Sequence, residues 1–337
     1  MKMCVTDLYM QAERIRVADS YIAAFYSDVK RGVPVEDTEY YRFLTHKISI
    51  GLFWGGCHNQ ADVDVYFQTR LQQMNGALDA FVPPVRIRHD GTVELLDAHH
   101  RVSRLIVEGR TVIEVEVKEV SQLFANLERD LFSIYGKKWL YQEIEHPYFA
   151  DWECNNPGRL DTIARYLDAA IADGRIMMEG AAIDYGCLTG GIARIFSARG
   201  FKTFGLDCDV RALAIAEYLD FVLGKSSRVN YARVDLLAPD VPYYGWPVNV
   251  CTALSLFHHW LRAEHIEKLK IIMPAIGRSC NLLITDVPAT KNTFTDSVIP
   301  LDQVKAFYMS LLPGHDVETI GWFDDREMLA LWRKPQS

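Results

Sequence analysis

The sequence predicts an α/β protein, with a doubly wound parallel sheet in the carboxyl-terminal part of the chain and a smaller α+β domain before it. From Ala181 onward, apolar strand-like runs alternate with amphipathic helical stretches, which is the pattern of a parallel sheet covered by helices on both faces. Residues 84–118 instead give the order strand, turn, strand, helix and strand. A chain of 337 residues is long enough for two such domains.

The amino-terminal elements are predicted from residue spacing and turn residues. Apolar side chains at helical spacing predict an amphipathic helix within residues 5–30. The segment His89-Asp90-Gly91 is a turn signal, and Gly109 fits the end of a helix. The two strands, the helix and the last strand around these signals are assigned to Val85–Arg88, Val93–Leu96, His100–Glu108 and Val112–Val117.

The boundary between the domains is predicted after a helix over Leu123–Tyr135, which gives domains of residues 1–135 and 136–337. The segment Trp152–Gly158, rich in Asn, Pro and Cys, is the most loop-like stretch between the two halves. An amphipathic helix over Leu160–Ala172 then leads into the parallel sheet.

Composition excludes several classes of protein. The net charge is −8 and no Lys/Arg run is visible, so a nucleic-acid partner is not expected. Seven scattered cysteines without a CxxC pair indicate reduced thiols and predict no metal site. Charges interrupt the apolar residues near the amino terminus, and no run of 18 apolar residues occurs. We therefore expect a cytoplasmic protein with no membrane segment.

The segment Ala181–Gly190 (AAIDYGCLTG) is the first motif that indicates chemistry. A buried strand ends in Asp184, and the chain then turns at Gly186, where the absence of a Cβ lets a ligand approach the backbone. A dinucleotide loop needs a glycine at position 188, which is Leu188 here. An acid before the turn suits a positively charged cofactor such as S-adenosylmethionine, which carries sulfonium and ammonium groups.

Acids also follow the next two predicted strands. Asp207 closes Phe204-Gly205-Leu206-Asp207, where a carboxylate can accept hydrogen bonds from both ribose hydroxyls. Asp235 follows the predicted strand Val229–Val234, where a carboxylate can accept a hydrogen bond from the adenine amino group. A fourth strand, Val248–Leu256, leads to Phe257-His258-His259-Trp260.

Taken in order, DYGCLTG, GLD, RVD and NVCTALSLFHHW make residues 141–290 resemble the class I S-adenosylmethionine-dependent methyltransferases. The resemblance implies a Rossmann-like sheet with S-adenosylmethionine as cofactor. Leu188 departs from the family's small or polar residue in the glycine loop. The cofactor contacts that the resemblance implies are Tyr141, Asp184, Gly186, Gly190, Asp207, Asp235, Leu236 and Ser255.

Histidine is the residue type best suited to deprotonate a hydroxyl acceptor near neutral pH. His258 and His259 lie at the end of the fourth predicted strand, on the side where the methyl group is expected. His259 is the preferred candidate because the family tends to place its histidine there. The alternative is structural: one histidine packs under the sheet and the other caps the following helix.

A second motif lies upstream, in the segment Asp97-Ala98-His99-His100-Arg101. A strand ends there and a helix begins, so free backbone N–H groups and the cationic side chains of His99, His100 and Arg101 suit a phosphate. The segment resembles the ParB/sulfiredoxin-like fold, with Ala98 at the usual glycine position, and this implies phosphate or nucleotide binding, including ATP or ADP. Alternatively, Asp97 caps the helix and Arg101 pairs with Glu108 or Glu94.

Three functions follow from these motifs. The leading one is methylation, most simply O-methylation, of a small molecule, sugar or glycan whose phosphorylated or nucleotide-linked part binds the amino-terminal domain. A second is a bifunctional kinase–methyltransferase that phosphorylates its acceptor and then methylates it. A third is a non-catalytic regulator that binds S-adenosylmethionine. The sequence leaves the oligomeric state open, with a homodimer as one option.

Overall fold

A computed structural model describes residues 1–10, 15–52, 55–74, 81–177, 180–223, 229–238, 248–288, 297–323 and 325–335. The chain divides into two compact units. Unit 1 comprises Met1–Asn126 and His146–Ala150, and unit 2 comprises Leu127–Glu145 and Asp151–Ser337. The boundary therefore falls inside the helix that was expected to precede it. The returning segment belongs to unit 1 because His146 hydrogen-bonds the Gly91 carbonyl at 2.8 Å and packs on Phe124.

Unit 1 combines short strands with helices around one hydrophobic core. Its central sheet has the order β2-β4-β3-β6, and β1 pairs with β5 in a separate two-stranded sheet. The elements are β1 (Lys2–Cys4), β2 (Leu8–Tyr9), α1 (Tyr21–Lys30), α2 (Glu39–Ser49), α3 (Gln60–Met74), β3 (Pro84–Ile87), β4 (Val93–Leu95), α4 (His99–Val107), β5 (Val112–Glu114), β6 (Glu116–Val120) and α5 (Gln122–Tyr135).

The predicted helix over residues 5–30 is wrong in its first part. Helix α1 begins only at Tyr21, where the Ser20 hydroxyl caps it by accepting a hydrogen bond from the Ala23 N–H. Before that point β1 pairs antiparallel with β5, and β2 pairs parallel with β4. These strand pairings are long-range contacts, which helical spacing within one segment does not reveal.

The other predictions for unit 1 agree with the structure in type, with one difference. Gly109 follows α4 with φ of 87°, as the predicted helix end requires. The single strand expected over Val112–Val117 is divided between β5 and β6, which pair with different strands. The division lies at Val115, whose side chain is buried in the core and whose N–H donates to the Met1 carbonyl.

Unit 2 is a mixed α/β unit built on a seven-stranded sheet of the order β11-β10-β9-β12-β13-β15-β14. The first five strands are parallel, and β15 runs antiparallel to both of its neighbours. The elements are β7 (Trp139–Leu140), β8 (Glu153–Cys154), α6 (Arg159–Ala172), β9 (Ala181–Tyr185), α7 (Gly191–Ala198), β10 (Lys202–Asp207), α8 (Val210–Val222), β11 (Val229–Arg233), β12 (Val248–Ala253), α9 (Ile266–Ser279), β13 (Cys280–Pro288), α10 (Leu301–Leu311), β14 (His315–Phe323) and β15 (Arg326–Arg333).

Helices cover both faces of this sheet, as the alternation in the sequence predicts. One hydrophobic cluster joins the sheet to α6 and α7, and a second joins it to α9 and α10. Neighbouring residues of β12 point to opposite clusters: Val250 belongs to the first and Cys251 to the second. Because the five parallel strands end at the same edge of the sheet, the loops that follow them gather there.

Candidate active site

Asp184 lies at the carboxyl end of β9 and is 1% exposed. Its Oδ1 accepts a hydrogen bond of 2.6 Å from the Thr252 hydroxyl on β12, the residue paired with it across the sheet. Its Oδ2 is buried without a hydrogen-bond partner. Burial raises the pKa of Asp184 to about 7, against the opposing effects of the Thr252 hydrogen bond and the positive charge of Arg159. The Ala193 N–H also lowers this pKa. A buried negative charge at the end of the strand favours a positively charged ligand nearby.

The glycine loop after β9 is held by backbone contacts to β10 and by Asp207. The N–H groups of Gly186 and Cys187 donate to the Leu206 carbonyl, and the Leu188 N–H donates to Asp207 Oδ2 at 2.8 Å. Leu188 adopts φ of 49° in this loop. Leu188 therefore adopts a left-handed backbone conformation that usually favours glycine.

Gly190 is a position where a side chain would not fit. Its φ is 77°, and a Cβ would lie 2.2 Å from the Tyr231 hydroxyl. The next residue begins α7, and its N–H donates to Gln142 Oε1 at 2.9 Å. Gln142, 5% exposed, therefore joins the segment before α6 to the glycine loop.

Asp207 and Asp235 occupy neighbouring positions at the same edge. Asp207 Oδ1 accepts the Asp209 N–H at 2.9 Å, and the Asp207 carbonyl accepts the Val234 N–H. Asp235 is exposed and accepts the Leu237 N–H at 2.9 Å, while Leu236 is buried. β11 ends at Arg233, so Asp235 lies two residues past the strand rather than directly after it.

Ser255 is the centre of a second group of contacts after β12. Its φ is 54°, which is uncommon outside glycine, and both its N–H and its hydroxyl donate to the Asp286 carboxylate. The Tyr141 hydroxyl hydrogen-bonds the Ser255 hydroxyl, and Arg159 Nη1 lies 3.5 Å from the same oxygen. The Arg159 guanidinium also stacks over the Tyr141 ring at 4.9 Å.

Arg159 and Asp286 are buried charged residues that the sequence reasoning did not assign to the site. Arg159 is 3% exposed, and its Nε has no hydrogen-bond partner. Burial raises the pKa of both Asp184 and Asp286, and the positive charge of Arg159 partly opposes this effect. Asp286 is 3% exposed and ends up beside Ser255 because β13 neighbours β12. The NLLITD segment carries the same signal as β9 and β10, an acid near a strand end, whereas nothing in the sequence indicates Arg159.

The two adjacent histidines have different surroundings. His258 is 1% exposed, and Arg326 Nη1 donates to its Nδ1 at 2.8 Å; the same Nη1 lies 3.7 Å from Asp286 Oδ2. His259 is exposed, and its ring centre lies 4.0 Å from that of His258. Burial lowers the pKa of His258, and the positive charge of Arg326 lowers it further. Burial also lowers the pKa of His259, with additional effects from the positive charges of Arg326 and Arg262. Both imidazoles are therefore neutral at neutral pH.

The upstream motif of unit 1 lies at the start of α4. Ala98 has φ of 68°, a left-handed conformation that favours glycine, and Asp97 Oδ1 accepts a hydrogen bond from the Ala98 N–H. Both ring nitrogens of His100 contact tyrosine hydroxyls, from Tyr26 at 3.2 Å and from Tyr66 at 2.5 Å.

Arg101 does not contact Glu108 or Glu94 as the structural alternative expected. Its guanidinium lies over the Phe81 ring at 4.5 Å, while Arg104 pairs with Glu108 and Arg86 pairs with Glu94. Asp97 and Arg101 are exposed and His99 is partly buried.

The described residues contain neither a cluster of metal ligands nor a membrane-spanning helix. Among those residues, no group of three or more His, Cys, Asp or Glu side chains is arranged to hold a metal ion. In the same part of the chain, no helix is both long and apolar enough to cross a membrane.

Comparison with known proteins gives structural neighbours only. No protein-family model matches the chain, and no curated protein matches it. The bifunctional kinase-methyltransferase WbdD is 19% identical over 61% of this chain and 46% of its own, with a TM-score of 0.47. The chain thus spans less than half of that protein.

Two smaller methyltransferases are also similar. Magnesium protoporphyrin IX methyltransferase (ChlM) from Synechocystis PCC 6803, with bound SAH, is 15% identical over 63% of this chain and 95% of its own, with a TM-score of 0.43. A Clostridium acetobutylicum S-adenosylmethionine-dependent methyltransferase is 9% identical over 52% and 92%, with a TM-score of 0.41.

Proposed function

We propose that unit 2 is a class I S-adenosylmethionine-dependent methyltransferase. The observation that carries this proposal is the buried Asp184 carboxylate at the end of β9, directly before the glycine loop. The pyrophosphate that a dinucleotide would place at this loop is anionic and would be repelled by Asp184, whereas the ammonium and sulfonium groups of S-adenosylmethionine are positively charged and would be attracted to it. The strand order, a doubly wound sheet with an antiparallel strand inserted before the last position, is that of class I methyltransferases.

The residues at this edge of the sheet fit the three parts of the cofactor. Asp184, Gly186 and Gly190 would hold the methionine part, and Arg159, whose Nε is buried without a partner, would hold its carboxylate. Asp207 would accept hydrogen bonds from the ribose hydroxyls. Tyr141 and Ser255 would border the methionine part, and Asp235 and Leu236 would border the adenine.

His259 is the proposed general base. The bound cofactor supplies an activated methyl group, so the protein mainly has to position the acceptor and remove its proton. His259 is exposed and neutral at neutral pH, and a hydroxyl acceptor would give it a proton. His258 is less suited to this role because it is buried and its Nδ1 already accepts from Arg326. We assign His258 to positioning His259.

Substitution of Asp207 tests the cofactor site. We expect Asp207→Ala to weaken S-adenosylmethionine binding, measured by isothermal titration calorimetry, by at least about tenfold, because two hydrogen bonds to a charged acceptor are lost. Asp209→Ala is the matched control, since Asp209 is a nearby acid that caps α8. Equal affinities of Asp207→Ala and the unsubstituted protein would contradict the ribose assignment.

The acceptor is proposed to be a small molecule, sugar or glycan that is methylated on oxygen. A neutral, exposed histidine after β12 supports a hydroxyl acceptor. Incubation with labelled S-adenosylmethionine and a panel of hydroxyl and amine acceptors, followed by mass spectrometry, tests this class. Cofactor binding without turnover of any acceptor would favour the non-catalytic regulator instead.

For unit 1, phosphate or nucleotide binding at Asp97, His99 and Arg101 stays a prediction, and so does its ParB/sulfiredoxin-like character. It is favoured by the exposed Arg101 and by the left-handed Ala98 at the start of α4. The engagement of His100 by two tyrosines leaves this residue with a structural role. ATP turnover that is lost in Arg101→Gln would support the bifunctional kinase–methyltransferase, and the absence of ATP and ADP binding would eliminate it.

A further inference from the structure

Asp286 is a buried carboxylate near the carboxyl end of β13, at the edge of the sheet that carries the proposed cofactor site. Burial raises its pKa, and the positive charges of Arg326 and Arg159 oppose this effect together with hydrogen bonds from Ser255. Burying a carboxylate is unfavourable unless it is paired and hydrogen-bonded, so the partners of Asp286 indicate what it does. Within the part of the chain that the structure describes, its carboxylate hydrogen bonds come from Ser255.

Ser255 lies two residues past β12 and has a backbone conformation that serine rarely adopts. Its φ is 54°, in the left-handed region where a Cβ is unfavourable. Such a conformation persists only where surrounding contacts hold it. Asp286 supplies these contacts, because it accepts the Ser255 N–H at 2.9 Å on Oδ1 and 3.0 Å on Oδ2, and the Ser255 hydroxyl at 3.2 Å on Oδ2. One carboxylate thus fixes both the backbone and the side chain of Ser255.

The turn at Ser255 lies against the glycine loop. Leu256 Cδ1, in the next residue, would be 3.5 Å from a Cβ at Gly186. On the other side, the Tyr141 hydroxyl donates to Ser255 Oγ. A change in the conformation of Ser255 would therefore displace Leu256 from the glycine loop and Tyr141 from its hydrogen bond.

The strand order separates this turn from the other half of the proposed cofactor site. Strands β12 and β13 lie on one side of β9, and β10 and β11 lie on the other. Neighbouring strands are about 4.8 Å apart, so Asp286 on β13 and Asp207 on β10 are about 14 Å apart across the sheet. The ribose and adenine contacts proposed for Asp207 and Asp235 therefore lie on the far side of β9 from Ser255.

We propose that Asp286 is a positioning residue for the methionine part of the cofactor: it holds Ser255 in its left-handed conformation and thereby places the turn after β12 against the glycine loop. This role rests on the methyltransferase function proposed for unit 2. Asp286 acts through Ser255 rather than by touching the cofactor, because its side chain is 4% exposed and both oxygens accept from Ser255. The adenosine part of the cofactor does not depend on it.

Two ligands separate the halves of the cofactor. S-adenosylhomocysteine carries the amino-acid part, and 5′-methylthioadenosine lacks it. With the full chain, we expect calorimetry to show that Asp286→Asn weakens S-adenosylhomocysteine about tenfold and 5′-methylthioadenosine less than about twofold, because charge-assisted hydrogen bonds to Ser255 are lost.

Thr285→Val is the matched control for a loss of stability. Thr285 precedes Asp286 on β13, is fully buried, and donates its hydroxyl to the Ala253 carbonyl at 2.9 Å. This variant should lower the melting temperature, because a buried carbonyl loses its hydroxyl partner. The ratio of the two ligand affinities should stay as in the unsubstituted protein.

Two substitutions of Ser255 test whether its backbone conformation matters. Both Ser255→Gly and Ser255→Ala remove the hydroxyl and keep the N–H that donates to Asp286. Glycine adopts a positive φ without strain, whereas alanine does not. We therefore expect Ser255→Ala to weaken S-adenosylhomocysteine about fivefold and Ser255→Gly only about twofold.

Two outcomes would overturn the proposal. One is an equal loss of affinity for both ligands in Asp286→Asn, or no loss for either, while the unsubstituted protein binds both. The other is a loss in Ser255→Gly as large as that in Ser255→Ala, which would show that the left-handed conformation does not serve binding. If the unsubstituted protein binds neither ligand, the methyltransferase function itself fails, and the role of Asp286 fails with it.

Discussion

Each unit of this protein carries one pair of adjacent histidines near the end of a strand, and the two pairs do different things. In unit 1, His100 contacts the hydroxyls of Tyr26 and Tyr66. A neutral imidazole offers one donor and one acceptor, so these two contacts saturate the ring. In unit 2, His258 is buried against Arg326, whereas His259 remains exposed at the edge that gathers the acidic residues of the proposed cofactor site.

The difference lies in the surroundings of the second member of each pair. His100 lies inside a cluster of tyrosines, and burial lowers its pKa to about 3. Burial and the positive charges of Arg326 and Arg262 also lower the pKa of His259, but this residue remains exposed to solvent. Adjacent histidines at the end of a strand are thus not by themselves a catalytic signal. The distinction depends on which elements pack over the second ring.

The largest effect is expected for His259→Ala. If His259 is the general base, kcat should fall about a hundredfold to ten-thousandfold, because proton removal from the acceptor is lost while cofactor contacts remain. Steady-state kinetics with a hydroxyl acceptor measures kcat, and calorimetry with S-adenosylmethionine measures the cofactor affinity separately. His46→Ala, at an exposed histidine of α2, is the control. An unaltered kcat would return His259 to a structural role and remove the contrast between the pairs.

His100→Ala should act on stability instead. We expect the free energy of unfolding to fall by about 2–3 kcal/mol, because the Tyr26 hydroxyl loses its partner, the Tyr66 hydroxyl keeps only that of Tyr40, and a space is left among the tyrosines. Arg101→Ala, which removes only the stacking on Phe81, should cost less than about 1 kcal/mol. Urea unfolding followed by tryptophan fluorescence and circular dichroism gives both values. If Arg101→Ala lowered the free energy of unfolding more than His100→Ala, the structural role assigned to His100 would be wrong.

The smallest expected effect is on pH dependence. A base must be unprotonated, and the lowered pKa of His259 places the acid limb of kcat/KM below its ordinary value of 6.5. Arg262→Gln removes one of the positive charges that lower this pKa, so the limb should move toward higher pH. The effect should be small because Arg262 is exposed to solvent. Lys270→Gln should leave the profile in place. A shift toward lower pH in Arg262→Gln would contradict the proposed base.

Much of unit 2 could be predicted because its signals are local. The apolar runs that became β9, β10, β12 and β13 end at one edge of a parallel sheet, so acids near their ends had to lie close together. Asp184 and Asp207 are accordingly found on either side of the glycine loop. Arg159 was not predicted, because only the packing of α6 brings it beside Ser255 and Tyr141.

By itself, the sequence determined the class of each sheet, the glycine loop and the acids at the strand ends, since periodicity and turn chemistry act over a few residues. Tertiary structure alone decided the start of the chain, where pairing with β5 and β4 replaced the predicted helix. It also decided which histidine of each pair is enclosed, and it joined Asp286, Arg326 and His258 from three distant segments. Burial and charge pairing depend on contacts across the fold, and no local pattern encodes them.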